Sequence, residues 1–254
     1  MSAEARTATP IVLLHGLLGE RRDWDALIAR LDGLRCLALD LPGHGDNRRL
    51  HVRSFDEARR WLCGELERRG IRRYRLLGYS LGGRLALHHA SHRPAGLEAL
   101  MLESAHPGLP EQQRPARLAH DDAWAERFEE EPLESVLTDW YRQPVFADLD
   151  ESTRTRQVAR RLGNHGPAVA AMLRATSLGR QPALGAWLAG TGLPVWYLSG
   201  SRDAKFHGIG SELARRCRRL RHLSLPGGHD LHLDRPDDVA EAVRAWCRDG
   251  AGDP

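Results

Sequence analysis

The sequence lacks the features of a membrane protein or an exported protein. Within its 254 residues, no apolar run approaches the roughly 18 residues that a transmembrane helix needs. The first residues, Met1 to Thr7, contain no apolar stretch that could form the core of a signal peptide. With 41% hydrophobic and 28% charged residues, the composition is that of a folded globular protein. The sequence therefore predicts a cytoplasmic protein with no membrane partner.

Cysteine is also sparse, and charge of one sign is not in large excess. The four cysteines are scattered, with no C-x-x-C pair and no local cluster of histidine and cysteine at metal-ligand spacing. Basic residues outnumber acidic ones by only 37 to 34, which does not favour a nucleic-acid partner. We therefore expect free thiols, no metal, no cofactor, no nucleic-acid partner, and a monomer or small homo-oligomer.

Short apolar runs typical of buried strands alternate with segments of helical periodicity. The helical segments include 54–69, where Ser54 and Glu57 suggest a capping box. The others are 23–31, 84–92, 209–217 and 237–248. The strand candidates are 11–14, 34–39, 75–77, 97–102, 193–198 and 220–225. This alternation predicts an α/β protein with a mostly parallel, doubly wound sheet of about six strands.

The alternation stops in the middle of the chain. From residue 110 to 185 the sequence is charged and helical in pattern, without strand candidates. We interpret this segment as a helical lid insertion. The core of the fold is then formed by residues 1–109 and 186–254.

A nucleophile elbow is predicted at Gly78-Tyr79-Ser80-Leu81-Gly82. The motif G-x-S-x-G occurs often by chance, but here a strand precedes it and a helix follows it. In such an elbow the glycines allow close backbone packing while the serine hydroxyl projects from a strained turn. The context therefore predicts an α/β-hydrolase fold with Ser80 as its reactive serine.

Candidates for the rest of a catalytic triad follow later strands in the order that this fold requires. Asp203 follows the fifth strand candidate and His229 follows the sixth, in an open Gly-Gly-His loop. His229 would accept the proton of Ser80, and Asp203 would orient the imidazole. Glu103 is the alternative acid and His232 the alternative base, but the turn before Asp203 and the glycines before His229 favour the first pair.

Backbone groups and arginines complete the predicted site. The backbone N–H groups of Leu17 and Leu81 would converge as an oxyanion hole, and Asp40 and His44 would order the turn after the second strand. Arginine forks bind carboxylates in bidentate fashion, which suits a polycarboxylate small molecule. The basic residues near the predicted site are Arg84, Arg114, Arg117, Arg160, Arg161 and Lys205.

Over most of its length the chain resembles the 2-succinyl-6-hydroxy-2,4-cyclohexadiene-1-carboxylate synthase family of menaquinone biosynthesis. The motifs at 14–19 and 40–45 are shared with many proteins of the fold, whereas Gly78 to Arg84 is more specific. The other segments that carry the resemblance are 106–109, 139–141, 143–146, 171–173, 175–178 and 202–206.

The resemblance implies a lyase that eliminates pyruvate from a succinylated cyclohexene enolpyruvyl ether. Ser80, assisted by His229 and Asp203, would remove a proton from carbon. The choices of Arg117 over Arg114 and of Arg161 over Arg160 stay open, because each has an arginine neighbour. The substrate-binding residues implied by the resemblance are Tyr79, Arg84, Arg117, Trp140, Arg161 and Lys205.

Two other classes of function use the same features. A carboxylesterase, a thioesterase or a carbon–carbon hydrolase would use the triad for acyl transfer. A ligand-binding protein could keep the fold without catalysis, although an intact triad argues against it.

Overall fold

Six parallel strands form one sheet in the part of the chain that the computed structural model describes, residues 9–249. The segment for which the sequence predicts no export signal, Met1 to Thr7, lies outside the described residues, as do residues 250–254 of the predicted core. Within the described part, none of the helices has the length and apolar character needed to cross a membrane.

The sheet has the spatial order β2-β1-β3-β4-β5-β6, and each neighbouring pair is parallel. The strands are β1 Ile11–Leu14, β2 Cys36–Leu39, β3 Tyr74–Tyr79, β4 Leu97–Glu103, β5 Val195–Gly200 and β6 Leu220–Leu225. The prediction of six parallel strands is confirmed. Because β1 lies between β2 and β3, the chain reverses its direction of travel across the sheet there. Ligands of open parallel sheets bind at such a switch point, beyond the carboxyl ends of the strands.

Helices cover both faces of the sheet and fill the segment between β4 and β5. Those of the core are α1 Asp25–Ile28, α2 Phe55–Arg68, α3 Leu81–Ser91, α9 Ala204–Arg216, α10 Leu231–Asp234 and α11 Pro236–Asp249. Those between β4 and β5 are α4 Arg114–Glu130, α5 Leu133–Trp140, α6 Glu151–Arg161, α7 Gly166–Ala175 and α8 Gly185–Gly190. Short 3-10 turns lie at Arg21–Trp24, Gly45–Asn47, Glu111–Gln113 and Pro144–Phe146.

Two predicted helices differ most from the observed ones. The helix predicted over 23–31 is reduced to α1, which is preceded by a 3-10 turn. The helix predicted over 209–217 begins earlier, at Ala204, because the Asp203 side chain accepts a hydrogen bond from the Phe206 N–H at 3.2 Å. A capping aspartate satisfies one of the free N–H groups in the first turn of a helix. The predicted cap of α2 is present, with Ser54 accepting from the Glu57 N–H.

The core is divided by the sheet into two apolar layers. Alternate residues of β1 point to opposite faces: Val12 and Leu14 join the layer under α2 and α3, and Ile11 and Leu13 join the layer under α11. A third apolar cluster, which includes Phe128 of α4, lies among the helices between β4 and β5. Burial on both faces explains why an inner strand such as β1 is a continuous apolar run, whereas the edge strand β6 carries polar residues.

Candidate active site

Ser80 occupies a strained turn between β3 and α3. Its φ of 47° lies in the left-handed region, which residues with a side chain seldom adopt. The glycines on either side are required by close backbone approach. A methyl group at Gly82 would collide with the Leu14 carbonyl oxygen, and one at Gly78 would lie 2.5 Å from the Gly82 carbonyl oxygen. Strain of this kind is typical of functional residues held by a rigid surrounding structure.

A hydrogen-bonded chain connects Ser80 to His229 and Asp203. The His229 Nδ1–H donates to Asp203 Oδ2 at 2.6 Å, and His229 Nε2 lies 3.4 Å from Ser80 Oγ, the hydroxyl that can donate to it. Asp203 uses its other oxygen to cap α9, so the helix fixes the carboxylate that orients the imidazole. His229 and Asp203 are both buried. This arrangement can accept a proton from Ser80 and stabilise the resulting imidazolium.

Three aromatic rings surround the imidazole of His229. The centroid distances are 4.8 Å to Phe206, 5.3 Å to Tyr79 and 5.8 Å to Phe146. The Tyr79 hydroxyl donates a hydrogen bond to Asp230, and burial together with the Asp230 charge raises the pKa of Tyr79 well above 10.0. Tyr79 therefore stays neutral, with its hydroxyl committed to Asp230.

The two alternative triad residues, Glu103 and His232, bind each other instead. Glu103 Oε1 accepts from the His232 N–H at 3.1 Å and lies 2.7 Å from His232 Nδ1. Burial opposes protonation of His232, but the adjacent Glu103 carboxylate outweighs it and raises the pKa of His232. Both side chains are fully buried, and the His232 ring is stacked on Trp24 at 4.2 Å. This pair ties the loop that carries His229 to the end of β4.

The predicted oxyanion hole lies at the ends of β1 and β3, where Leu17 and Leu81 line the same cavity as Ser80. Two buried histidines shape the loop that carries Leu17. His44 Nε2 accepts from the Leu18 N–H at 3.0 Å, and His15 Nε2 accepts from the Leu41 N–H at 2.9 Å.

Burial, reinforced by the nearby His15, lowers the pKa of His44 to about 3, so that its ring is neutral and can accept. The sequence predicted only that His44 orders its own turn. Asp40 does hold that turn, accepting from the Asp46 N–H at 3.1 Å.

Ser80 opens into a cavity of about 320 Å³ roofed by the helices between β4 and β5. Of the predicted binding residues, five line it: Tyr79, Arg84, Arg117, Trp140 and Lys205. Trp140 is held by the Trp124 and Phe128 rings, at 5.0 and 5.5 Å. The cavity lining therefore combines apolar side chains with the cations Arg84, Arg117 and Lys205.

Arg84 and Lys205 line the cavity without forming an ion pair to any carboxylate of the described residues. Arg84 Nη1 donates only to the Thr176 carbonyl oxygen, at 2.7 Å. Burial and the neighbouring Arg117 lower the pKa of Arg84, and burial and Arg117 likewise lower the pKa of Lys205. Arg84 is half-buried and Lys205 is exposed at the cavity wall, and cations without a carboxylate partner in such a position are typical of binding sites.

The structure distinguishes Arg117 from Arg114, the first of the two choices between neighbouring arginines. Arg117 lines the cavity while its Nε donates to Asp121 at 2.7 Å, whereas Arg114 Nε reaches the Leu109 carbonyl and does not line the cavity.

Arg161, which the resemblance implies as a substrate-binding residue, does not line this cavity. It is 5% exposed, forms an ion pair with Asp23 at 2.8 Å and lies 3.3 Å from the Tyr141 hydroxyl. Arg160 also reaches Asp23, at 3.1 Å, and lines a neighbouring cavity that shares His229 and Phe146 with the first. The sequence could not show the pairing of Arg161 with Asp23, because the two residues are 138 positions apart in the chain.

Sequence reasoning also missed four polar residues on the cavity wall: Ser104, His106, His120 and Gln143. His106 Nδ1 accepts from the Gly108 N–H at 3.1 Å, so its Nε2 carries the proton. Burial, with Lys205 and Arg84 nearby, lowers the pKa of His106 to about 4 and keeps it neutral. His106 and Gln143 lie in segments that carry the family resemblance, which is the signal that could have identified them.

Comparison with known proteins agrees with the fold and the geometry. A family model described as alpha/beta hydrolase fold matches residues 9–236. The chain is thus an enzyme of the α/β-hydrolase fold. An esterase from Thermogutta terrifontis is similar in structure, with a TM-score of 0.84 over 96% of this chain and 91% of its own, but is 22% identical and shows the fold alone.

Closer relatives define the family. A 2-succinyl-6-hydroxy-2,4-cyclohexadiene-1-carboxylate synthase from Pectobacterium atrosepticum is 45% identical over 93% of this chain and 92% of its own. One from Enterobacter sp. is 46% identical over 94% and 91%. The structure of MenH from S. aureus superposes with a TM-score of 0.88 at 26% identity, covering 96% and 95%. The chain belongs to the 2-succinyl-6-hydroxy-2,4-cyclohexadiene-1-carboxylate synthase family, as its motifs predicted.

Proposed function

We propose that this chain eliminates pyruvate from 2-succinyl-5-enolpyruvyl-6-hydroxy-3-cyclohexene-1-carboxylate to give 2-succinyl-6-hydroxy-2,4-cyclohexadiene-1-carboxylate. The observation that carries the proposal is that a candidate base and two cations without carboxylate partners line one cavity. Ser80 and His229 face the same cavity as Arg84 and Lys205, which have no carboxylate partner within residues 9–249. A substrate with three carboxylates would supply the missing negative charge.

The two compound names define the bond changes. The ring double bond at position 3 is replaced by double bonds at positions 2 and 4. The carbon that bears the succinyl group therefore loses its proton, and the enolpyruvyl oxygen leaves from position 5 with the bonding electrons. Enolpyruvate then becomes pyruvate by taking a proton on carbon. No net oxidation or hydrolysis occurs, so the protein needs a base and electrostatic stabilisation but no redox group.

Each part of the site has a role in this reaction. Ser80 Oγ takes the carbon-bound proton after its own proton has passed to His229, and Asp203 stabilises the imidazolium. The negative charge that develops on the succinyl carbonyl is held by the backbone N–H groups of Leu17 and Leu81. Arg84, Arg117 and Lys205 would bind the carboxylates, and the Trp140 and Tyr79 rings would pack against the carbocycle.

The test is release of pyruvate by the purified protein from the enolpyruvyl substrate. Ser80→Ala should lower kcat by about 10²–10⁴-fold, the usual contribution of a positioned acid–base group. Ser91→Ala, at the other end of α3, is the matched control and should leave the rate unchanged. Equal rates for Ser80→Ala and the wild type would rule out the proposal.

The same geometry also favours a second function, hydrolysis of an ester, a thioester or a carbon–carbon bond. The strained elbow and the His229 contact are features of a serine that attacks a carbonyl carbon. Such an enzyme would turn over neutral acyl esters and accumulate a covalent adduct on Ser80. The cationic wall favours the lyase, because a neutral acyl group gains nothing from unpaired arginine and lysine.

A small-molecule partner and a cytoplasmic location complete the proposal. The polycarboxylate substrate is inferred from the charge of the cavity wall. We also propose a cytoplasmic location and a monomeric or small homo-oligomeric assembly.

A further inference from the structure

Two histidines and an aspartate meet on the surface where α2 packs against the end of α3. Asp56 lies in the first turn of α2 and His88 in the last turn of α3, and His92 is the first residue after α3 ends. Their available ligand atoms all lie within 4.8 Å of one another. Asp56 Oδ1 is 3.0 Å from His88 Nε2 and 3.8 Å from His92 Nε2. In the part of the chain that the structure describes, this is the one such group of three.

The hydrogen bonds of His92 prepare its ring to act as a metal ligand. Its Nδ1–H donates to the His88 carbonyl oxygen at 2.9 Å, which leaves the lone pair on Nε2 directed toward Asp56 and His88. Metal-binding histidines commonly donate their second ring N–H to a backbone carbonyl in this way, which fixes the tautomer. The two histidine rings are 4.7 Å apart at an interplanar angle of 67°, so their nitrogens converge without stacking.

The protonation states also suit a cation. In the chain without metal, the His88 Nε2–H donates to Asp56 Oδ1 at 3.0 Å. A metal ion would replace that proton, while His88 Nδ1, which has no hydrogen-bond partner among the described residues, takes one. Asp56 supplies the negative charge of the site, and the positive charge of the nearby Arg59 opposes a dication. The site should thus bind reversibly rather than permanently.

We propose that Asp56, His88 and His92 form a binding site for a divalent transition metal, with Zn²⁺ as the best match. Two imidazole nitrogens and one carboxylate oxygen are a ligand set that Zn²⁺ accepts, with water in the remaining position. This departs from the sequence prediction of no metal. The spacing His88-x-x-x-His92 places both rings on one helix face, but the third ligand comes from another helix and has no fixed spacing in the sequence.

A metal ion here would join α2 to α3. The ion would bind the folded chain in preference to the unfolded one, because only the fold brings the three ligands together. Zn²⁺ should therefore raise the thermal midpoint of unfolding. The side chains of Asp56 and His92 are 58% and 40% exposed, so the ion has an open path from solvent.

The experiment uses untagged, chelator-treated full-length protein and ZnCl₂ as the probe. Isothermal titration calorimetry should show one Zn²⁺ per chain at this site. Zinc at about 100 times its Kd should raise the thermal midpoint by about 5 °C or more. His92→Ala and Asp56→Ala should each weaken zinc binding at least about tenfold and reduce the thermal shift. Both positions are exposed, so the variants should fold.

A matched control is available in His207, which lies beside His222 at 5.3 Å between ring centroids and has no carboxylate in its cluster. His207→Ala should leave zinc binding unchanged. Absence of binding to the wild type would overturn the proposal. So would zinc binding that persists in His92→Ala and Asp56→Ala, or that is lost in His207→Ala, because either result would locate the ion elsewhere.

Discussion

Arg84 and Arg161 are the same residue type in neighbouring parts of the molecule, but they have opposite surroundings. Arg161 is buried against Asp23 at 2.8 Å, and its pKa is raised: burial opposes the charge, but Tyr141 and Asp23 outweigh it. Arg84 faces the cavity with a backbone carbonyl as its hydrogen-bond partner, and burial lowers its pKa. We propose that Arg161 stabilises the fold, whereas the charge of Arg84 is kept available for a ligand.

The comparison extends to the residues around each arginine. Asp23 brings negative charge to Arg161, whereas Arg117 and Lys205 add positive charge beside Arg84. Concentrating cations in one cavity costs stability in the free protein and gains binding energy when a polyanion enters. We therefore propose that this excess of positive charge selects a substrate with several carboxylates.

The largest effect should come from breaking the buried pair. Arg161→Ala leaves the carboxylate of Asp23 buried with only the half-exposed Arg160 as an ion-pair partner, and should lower the free energy of unfolding by about 3 kcal/mol or more. Denaturant unfolding measures this loss. Arg160→Ala is the matched control, because Arg160 is half-exposed and its loss should cost less than about 1 kcal/mol. Equal losses would show that Asp23 does not depend on Arg161.

Removing Arg84 should lower activity and leave the free energy of unfolding nearly unchanged. Arg84→Met should lower kcat/KM for the enolpyruvyl substrate by about 30–100-fold, the cost of a charge-assisted hydrogen bond. The free energy of unfolding should change by less than about 1 kcal/mol, because an unpaired cation is removed. Arg180→Met, at an exposed arginine that does not line the cavity, should alter neither quantity. Parallel losses of activity and stability would show that Arg84, like Arg161, stabilises the fold.

The smallest expected effect is a pH dependence caused by Lys205. Its pKa is lowered from 10.5 by burial and by Arg117, so its cation is lost as pH rises through this lowered value. Loss of the cation weakens anion binding, and kcat/KM should fall about threefold to tenfold on the alkaline side. Lys205→Arg should remove that fall, because a guanidinium keeps its charge. An unchanged alkaline profile in Lys205→Arg would assign the fall to another group.

The fold and the hydrogen-bonded chain of Ser80, His229 and Asp203 were predictable because their signals in the sequence are local. Apolar runs identified all six strands, and the glycines around Ser80 identified the elbow. Asp203 and His229 could be chosen from the loops after β5 and β6, since the fold fixes where those loops lie. The helix predicted around α1 was too long, because a 3-10 turn at Arg21–Trp24 replaces its first turn.

Features that depend on distant contacts were not predictable. The ion pair between Arg161 and Asp23 could not be predicted, because Asp23 was expected in an amphipathic helix and is instead buried. His44 reaches Leu18, 26 positions away, to shape the loop of the oxyanion hole. Such pairs are formed by the packing of separate elements, and no spacing in the sequence records them.

Proton abstraction by Ser80 can be tested most directly with substrate carrying deuterium on the ring carbon that bears the succinyl group. In single-turnover experiments, wild-type protein should release pyruvate more slowly from the deuterated substrate than from the unlabelled one. Mass spectrometry of the protein during turnover should show no acyl adduct on Ser80. Equal rates for the two substrates together with an adduct on Ser80 would contradict the assignment of Ser80 as the base.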